Sequence, residues 1–309
     1  MFQSHSEYLI NELGLEVYKD TMLSEYTTFK IGGKIDLLIH VCDTDEIKKA
    51  VDFVVANEIP YFVMGAGSNL LITDSDLHGA VIIIKEKVNK KGKIDILNED
   101  ENEVRIKVSS SVMIKRLIGE FAQTGLSELY NISSIPGTIG GGIKSNAGID
   151  KLGFSKITSE ITCLNKLGAC EKIKKDKIGF RYRGTSLSRE NIILDAELKF
   201  SKINSKVLKD KIRSNMKKRM STQPYFAKSA GCVFKNLENI SAGELIDSLG
   251  MKNLSVGDAM VSNEHANFII NKSKATFSDV VGLIELIKGK VFRETGISLQ
   301  EELVIKEGI

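Results

Sequence analysis

Apolar positions recur at two spacings along this chain. Val104, Ile106 and Val108 alternate with Arg105 and Lys107, the period of a half-buried strand. Residues 36–41, 61–64, 80–85 and 191–200 are short apolar runs that also read as strands. Helical spacing appears where Ile47, Val51, Val54 and Val55 follow a cap at Asp43 or Thr44. It reappears in Val112, Ile114, Leu117, Ile118 and Phe121, with Ser111 as cap and Gly125 as stop. Residues 36–64 thus form a βαβ-like unit. Residues 157–164 and 169–173 read as a hairpin turning at 166–168, a register that sets Cys163 opposite Cys170. From Ser201 the chain turns basic, with Val207, Leu208, Ile212 and Met216 at helical spacing. A short helix over 243–249, a strand over 267–271, an amphipathic helix over 278–295 ended by Gly296, and a strand over 303–306 complete the pattern. The expected class is α+β, with a boundary near residue 201.

Composition narrows this only modestly. At 309 residues the chain exceeds one typical core, so two or three domains are expected. Hydrophobic residues at 42% and charged residues at 27% describe an ordinary globular protein. The net charge of +3 argues neither for nor against nucleic acid. No apolar stretch is long enough for a membrane span, and residues 1–20 show no secretory signal. Cys42, Cys163, Cys170 and Cys232 lack CxxC spacing, so reduced thiols in the cytoplasm are expected. The lysines of 87–93 read as a solvated turn.

Ser133–Gly148, SSIPGTIGGGIKSNAG, is the densest stretch of backbone-permissive residues. Glycine lets main-chain N–H groups approach a ligand closely, and a loop of bare amides suits an anion. A flexible surface loop is the plain alternative, but Ile135, Ile139, Ile143 and Ala147 punctuate the glycines as packed positions would. A second such loop, Gly65–Leu70, follows a strand. Two amide-lined loops suit a long diphosphate such as a dinucleotide. The chain has no GxGxxG after a strand, GxxxxGK[ST], HExxH or GxSxG, and its histidines and cysteines are too scattered for zinc, so no metal is expected. Arg183 in FRYRGTS could meet a carboxylate or simply bond backbone carbonyls. Cys232 follows the small residues Ser229, Ala230 and Gly231, which admit a substrate, although a lone cysteine is more often filler. One of Glu301 and Glu302 reads as surface charge, and His265 as a structural hydrogen-bonder.

Taken in order, TTFKIGG, VMGAGSNLLI, SSIPGTIGGGIKSNAG, FRYRGTS, QPYFAKSAGCVFKN, AGELIDSLG, HANFIIN and LQEEL resemble the UDP-N-acetylenolpyruvoylglucosamine reductase family over nearly the whole chain. The short link between Asn236 and AGELIDSLG resembles its shorter, type II form. The resemblance implies a two-subdomain FAD-binding unit of the vanillyl-alcohol-oxidase (PCMH) type, over 1–60 and 61–200. It adds a C-terminal α+β substrate-binding domain over 201–309, whose last strand can return to the FAD-binding unit. It implies FAD and NADPH as cofactors and reduction of the enolpyruvyl group of UDP-N-acetylenolpyruvoylglucosamine for peptidoglycan synthesis, by a cytoplasmic monomer. Gly65, Ala66, Gly67, Ser68, Asn69, Leu70, Ser134, Ile135, Pro136, Gly137, Thr138, Gly140, Gly141, Asn146, Ala147 and Gly148 would hold FAD. Tyr182, Arg219, Lys235, Asn236 and His265 would face the substrate. Arg183, Cys232 and Glu302 match the catalytic arginine, proton donor and glutamate. Cysteine at 232 departs from the family's usual serine, and Lys306–Glu307 from its usual isoleucine-glycine close, which loosens the assignment of Glu302 against Glu301. Within the same superfamily many members tether flavin through histidine, and neither glycine-rich loop contains one. A related FAD-dependent oxidase or dehydrogenase and a non-catalytic flavin-binding module are the competing readings.

Overall fold

The computed structural model describes residues 2–149, 152–165, 168–188 and 190–309. The chain divides into two compact units, each assembled from separate segments: 1–19, 36–66 and 79–217 in the first, 20–35, 67–78 and 218–309 in the second.

In the first unit, the strands Lys34–Val41 and Tyr61–Met64 flank Leu77–Ile84, which pairs in parallel with Tyr61–Met64, so the βαβ-like unit holds a third strand between its two. The intervening helix Thr44–Ala56 starts on Asp43, whose carboxylate accepts from the Glu46 N–H. Ile47, Val51 and Val54 are buried against the sheet, while Val55 is 52% exposed and lies off that face. The lysines of 87–93 are not merely solvated. Lys87 and Lys90 bond the Glu46 carboxylate at 3.2 and 2.9 Å, and the same carboxylate accepts from the Cys42 N–H.

A five-stranded antiparallel sheet follows, ordered Cys170–Lys174, Thr158–Leu164, Ile192–Ser201, Glu103–Ser109, Ile94–Glu99. Val104, Ile106 and Val108 are buried, and their face packs on Ile114, Leu117, Ile118 and Phe121 of the helix Ile114–Phe121. Ser111 does not cap that helix. Its N-cap is Met113, without a side-chain bond, and Ser111 is buried beside the Cys42 thiol. The hairpin forms, but its register puts Leu164 opposite Cys170 and Cys163 opposite Glu171. Neighbours along a strand face opposite ways, so Cys163 is buried and Cys170 exposed. Lys166, within the expected turn, lies outside the described residues.

In the second unit, the helices Ala242–Ser248 and Phe277–Thr295 pack with a small antiparallel sheet of Ser255–Val256, Ala259–Val261 and Ile269–Asn271. Thr276 and Asp279 form a reciprocal capping box, and Gly296 closes the long helix at φ +72. Val304–Lys306 pairs in parallel with Leu70–Ile72, and Phe29, Ile31 and Leu71 enter the same core. The basic helix spans Ser205–Thr222; Leu208 is buried and Val207 is 48% exposed.

Candidate active site

The glycine-rich stretch is a structured element. Thr138 caps a short helix, Ile139–Lys144, by accepting from the Gly141 N–H. The stretch is stitched to residues 110–114: Gly140 donates to the Ser110 carbonyl, Ile139 to that of Val112, and Ile114 to that of Gly137. Gly65 ends the strand Tyr61–Met64 against it, where a Cβ would stand 2.5 Å from Thr138 Oγ1. Any larger residue at 65 would push the two loops apart.

Gly65, Thr138, Gly140 and Gly141 line a cavity of about 120 Å³ within the first unit. Val63, Met64, Ile84, Ile192 and Ile193 form apolar wall, and Ser110, Lys144 and Asn191 supply polar atoms. Sequence reasoning names the glycines and Thr138 but misses Ser110, Lys144 and Asn191. Their signal is three-dimensional, since they come from three separate segments. Ala66 also lies in the first unit, whereas Gly67, Ser68, Asn69 and Leu70 belong to the second. Ser134 and Ile135 are half-buried, Pro136 is exposed, and Gly137 turns the chain at φ +123.

The far end of the stretch meets Arg183. Arg181 and Gly184 exchange backbone hydrogen bonds, making a tight turn with Tyr182 and Arg183 at its tip. Arg183 sits at φ +54, a left-handed conformation that non-glycine residues seldom adopt without a reason. Its Nη1 donates to the Gly148 carbonyl at 2.8 Å, and its guanidinium lies 5.3 Å from the Tyr182 ring centroid. Asn146 bridges the two pieces: its side-chain N–H donates to the Arg181 carbonyl and its oxygen accepts from the Ser155 N–H. Asn146, Ala147 and Gly148 are thereby held beside the arginine turn.

The second unit brings Cys232 and Glu302 onto neighbouring segments. The Glu302 N–H donates to the Val233 carbonyl at 2.8 Å, and Lys235 donates to the Gln300 carbonyl. Cys232 is bridged on the other side to Phe268, next to Asn267, whose side chain clamps both backbone groups of Phe234. Asn69 completes the frame, donating to the Glu302 carbonyl at 3.1 Å and accepting from the Val304 N–H. Glu301, the neighbour of Glu302, is ion-paired with Lys288 at 2.8 Å. Burial raises its pKa, but the Lys288 hydrogen bond and charge outweigh that and hold it below the usual carboxylate value.

Arg219 approaches Cys232 from the end of the basic helix. Burial pulls its pKa down, with Tyr225 and Cys232 opposing, and its Nε is buried with no hydrogen-bond partner among the described residues. Its guanidinium stands 5.8 Å from the Tyr225 ring centroid. Asn236 is exposed and its Oδ1 accepts from the Ala242 N–H, the first of the helix that Ser241 caps. His265 accepts from the Asn267 N–H and packs edge-on to Phe268. Burial pushes its pKa down, and Lys252 acts in the same direction.

Comparisons with known proteins bear on both units. Residues 223–306 match the family model "UDP-N-acetylenolpyruvoylglucosamine reductase, C-terminal domain", and residues 35–163 match "FAD binding domain". The chain is 36% identical to UDP-N-acetylenolpyruvoylglucosamine reductase of Prochlorococcus marinus, over 95% of this chain and 98% of that one. It is 34% identical to the reductase of Clostridium tetani, covering 96% and 94%. The crystal structure of the reductase from Thermus caldophilus superposes with a TM-score of 0.78 at 32% identity, over 94% of this chain and 98% of that one.

Proposed function

We propose the following for this chain, which belongs to the UDP-N-acetylenolpyruvoylglucosamine reductase family: it reduces the enolpyruvyl sugar with electrons from NADPH, through bound FAD. Its family membership makes it an FAD-dependent oxidoreductase of peptidoglycan precursor synthesis. The NADPH preference, the residue roles and action in the cytoplasm are our reading. What most supports the residue roles is the backbone hydrogen bond from Glu302 to Val233, which puts the segment carrying Cys232 next to the segment carrying Glu302 in the second unit.

The residues of the first unit fit FAD. A narrow cavity walled by Gly65, Gly140 and Gly141 leaves backbone bare where side chains would crowd a phosphate chain, and its aliphatic flank suits flat rings. Gly67, Ser68, Asn69 and Leu70, with Ser134 to Thr138 and Asn146 to Gly148, contribute the remaining contacts in this reading. Once reduced by NADPH, FAD bound there would supply the hydride for C3 of the enolpyruvyl group.

Hydride addition leaves negative charge at C2, delocalised into the adjacent carboxylate. Fixed positive charge and an acid are what such a dianion-like state requires. Arg183 supplies the charge, from a turn whose hydrogen bonds fix the guanidinium in advance. Glu302 donates a hydrogen bond to the developing enolate, and Cys232 delivers the proton to C2. An ordinary thiol, with a pKa of about 8.5, is a much stronger acid than a serine hydroxyl. Arg219 binds substrate phosphate through its unsatisfied donor, and Tyr182, Lys235, Asn236 and His265 shape the substrate side.

The test is an anaerobic visible spectrum of the full-length protein, reduced with NADPH and then mixed with UDP-N-acetylenolpyruvoylglucosamine. Bleaching of the yellow flavin band and its return on adding the sugar are expected. A flavin that bleaches and stays reduced would discard the substrate, and a protein that takes up no FAD would discard the cofactor.

A further inference from the structure

Lys144 is the single charged residue in the glycine-rich stretch Ser133–Gly148, and nothing in the reading above uses it. It is half-buried in the wall of the first unit's cavity, beside Gly140 and Gly141. Its ammonium donates to the backbone carbonyls of Ser188 and Asn191. An ammonium carries three N–H donors, so two carbonyls leave one to give. Among the described residues no carboxylate pairs with it. The same wall holds a second group awaiting a partner: the hydroxyl of Ser110, a residue 1% exposed, has no hydrogen bond among the described residues. A cation without a counter-ion and an orphaned hydroxyl facing one small glycine-lined space call for an anionic ligand.

We propose that Lys144 binds the pyrophosphate of FAD, presenting its ammonium to the cavity from a mount of two backbone carbonyls. This rests on the cofactor reading above. Burial lowers the Lys144 pKa to about 8, with Cys163 opposing. The Cys163 thiol does not titrate in the same range: burial, with Glu171 adding to it, pushes it up to about 11. FAD affinity is therefore highest below pH 8 and falls as Lys144 loses its proton above it.

The experiment measures binding of FAD and of riboflavin, which has no phosphate, to the flavin-stripped full-length protein by quenching of flavin fluorescence. Lys144→Met should weaken FAD by about ten- to a hundredfold, the range for a hydrogen bond to a charged group. It should leave riboflavin unchanged, and Lys144→Arg should restore FAD binding. In the unmodified protein FAD should bind less tightly at pH 9 than at pH 7, and the arginine variant should lose that dependence. If Lys144→Met misfolds, the pH and arginine comparison decides alone. Equal losses for FAD and riboflavin would make Lys144 a structural prop and overturn the proposal, as would unchanged FAD affinity with a flat pH profile. In both cases the cofactor reading would stand. A chain that bound no FAD would overturn both.

Discussion

At the scale of single residues, Cys232 and the Glu301–Glu302 pair carry the sharpest expectations. Cys232→Ser should keep appreciable turnover, because a hydroxyl can replace a thiol as proton donor at lower acidity. Cys232→Ala should let NADPH bleach the flavin normally but stall its reoxidation by the enolpyruvyl sugar; stopped-flow traces separate the two half-reactions. Normal turnover by the alanine variant would remove Cys232 from the chemistry. Glu302→Gln should lower kcat by about 10²–10⁴, the usual weight of a positioned acid. Glu301→Gln should leave kcat within about twofold and cost less than about 1 kcal/mol, since its pair with Lys288 is one-third exposed. Steady-state kinetics on both variants decides which carboxyl acts. Chain order alone leaves Glu301 and Glu302 open. The structure adds one difference between them, the ion pair of Glu301 with Lys288. One-residue sensitivity explains the cysteine register: pairing Cys163 with Cys170 is off by a single position, and that moves Cys170 to the surface.

At the scale of elements, local signals proved most legible where capping and periodicity agree. The Asp43 cap, the Val104–Val108 alternation and the Gly296 stop are all written in short windows, and each element stands where those windows put it. Ser111 shows the limit: a serine before an apolar run resembles a cap, yet tertiary contact with Cys42 claims it. The lysines of 87–93 show another, since their partner Glu46 lies forty residues earlier. That carboxylate, with its side chain 12% exposed, ties the start of the helix Thr44–Ala56 to Lys87 and Lys90. Glu46→Gln leaves Lys87, itself 12% exposed, without its main counter-charge. Removing one partner of such a pair should cost about 3 kcal/mol. The check is urea denaturation, where the midpoint should fall with an unchanged m-value.

At the scale of the whole molecule, the segments 20–35 and 67–78 are the least legible feature, because no local pattern announces that they fold with residues 218–309. Their contribution is nonetheless large. Phe29, Ile31 and Leu71 are at most 1% exposed within the second unit's core, and Leu70–Ile72 is the pairing partner of Val304–Lys306. Burying three such side chains contributes about 1.5–3 kcal/mol each. Their sum is comparable to the whole stability of a typical domain, about 5–15 kcal/mol. A fragment of residues 218–309 should therefore lack a cooperative thermal transition and near-ultraviolet circular dichroism. It would also lose the Asn69 side chain that bonds the Glu302 carbonyl. A chain in which 20–35 and 67–78 are fused ahead of 218–309 through flexible linkers should regain both signals. A sharp unfolding transition in the bare fragment would mean that its own helices and three-stranded sheet suffice.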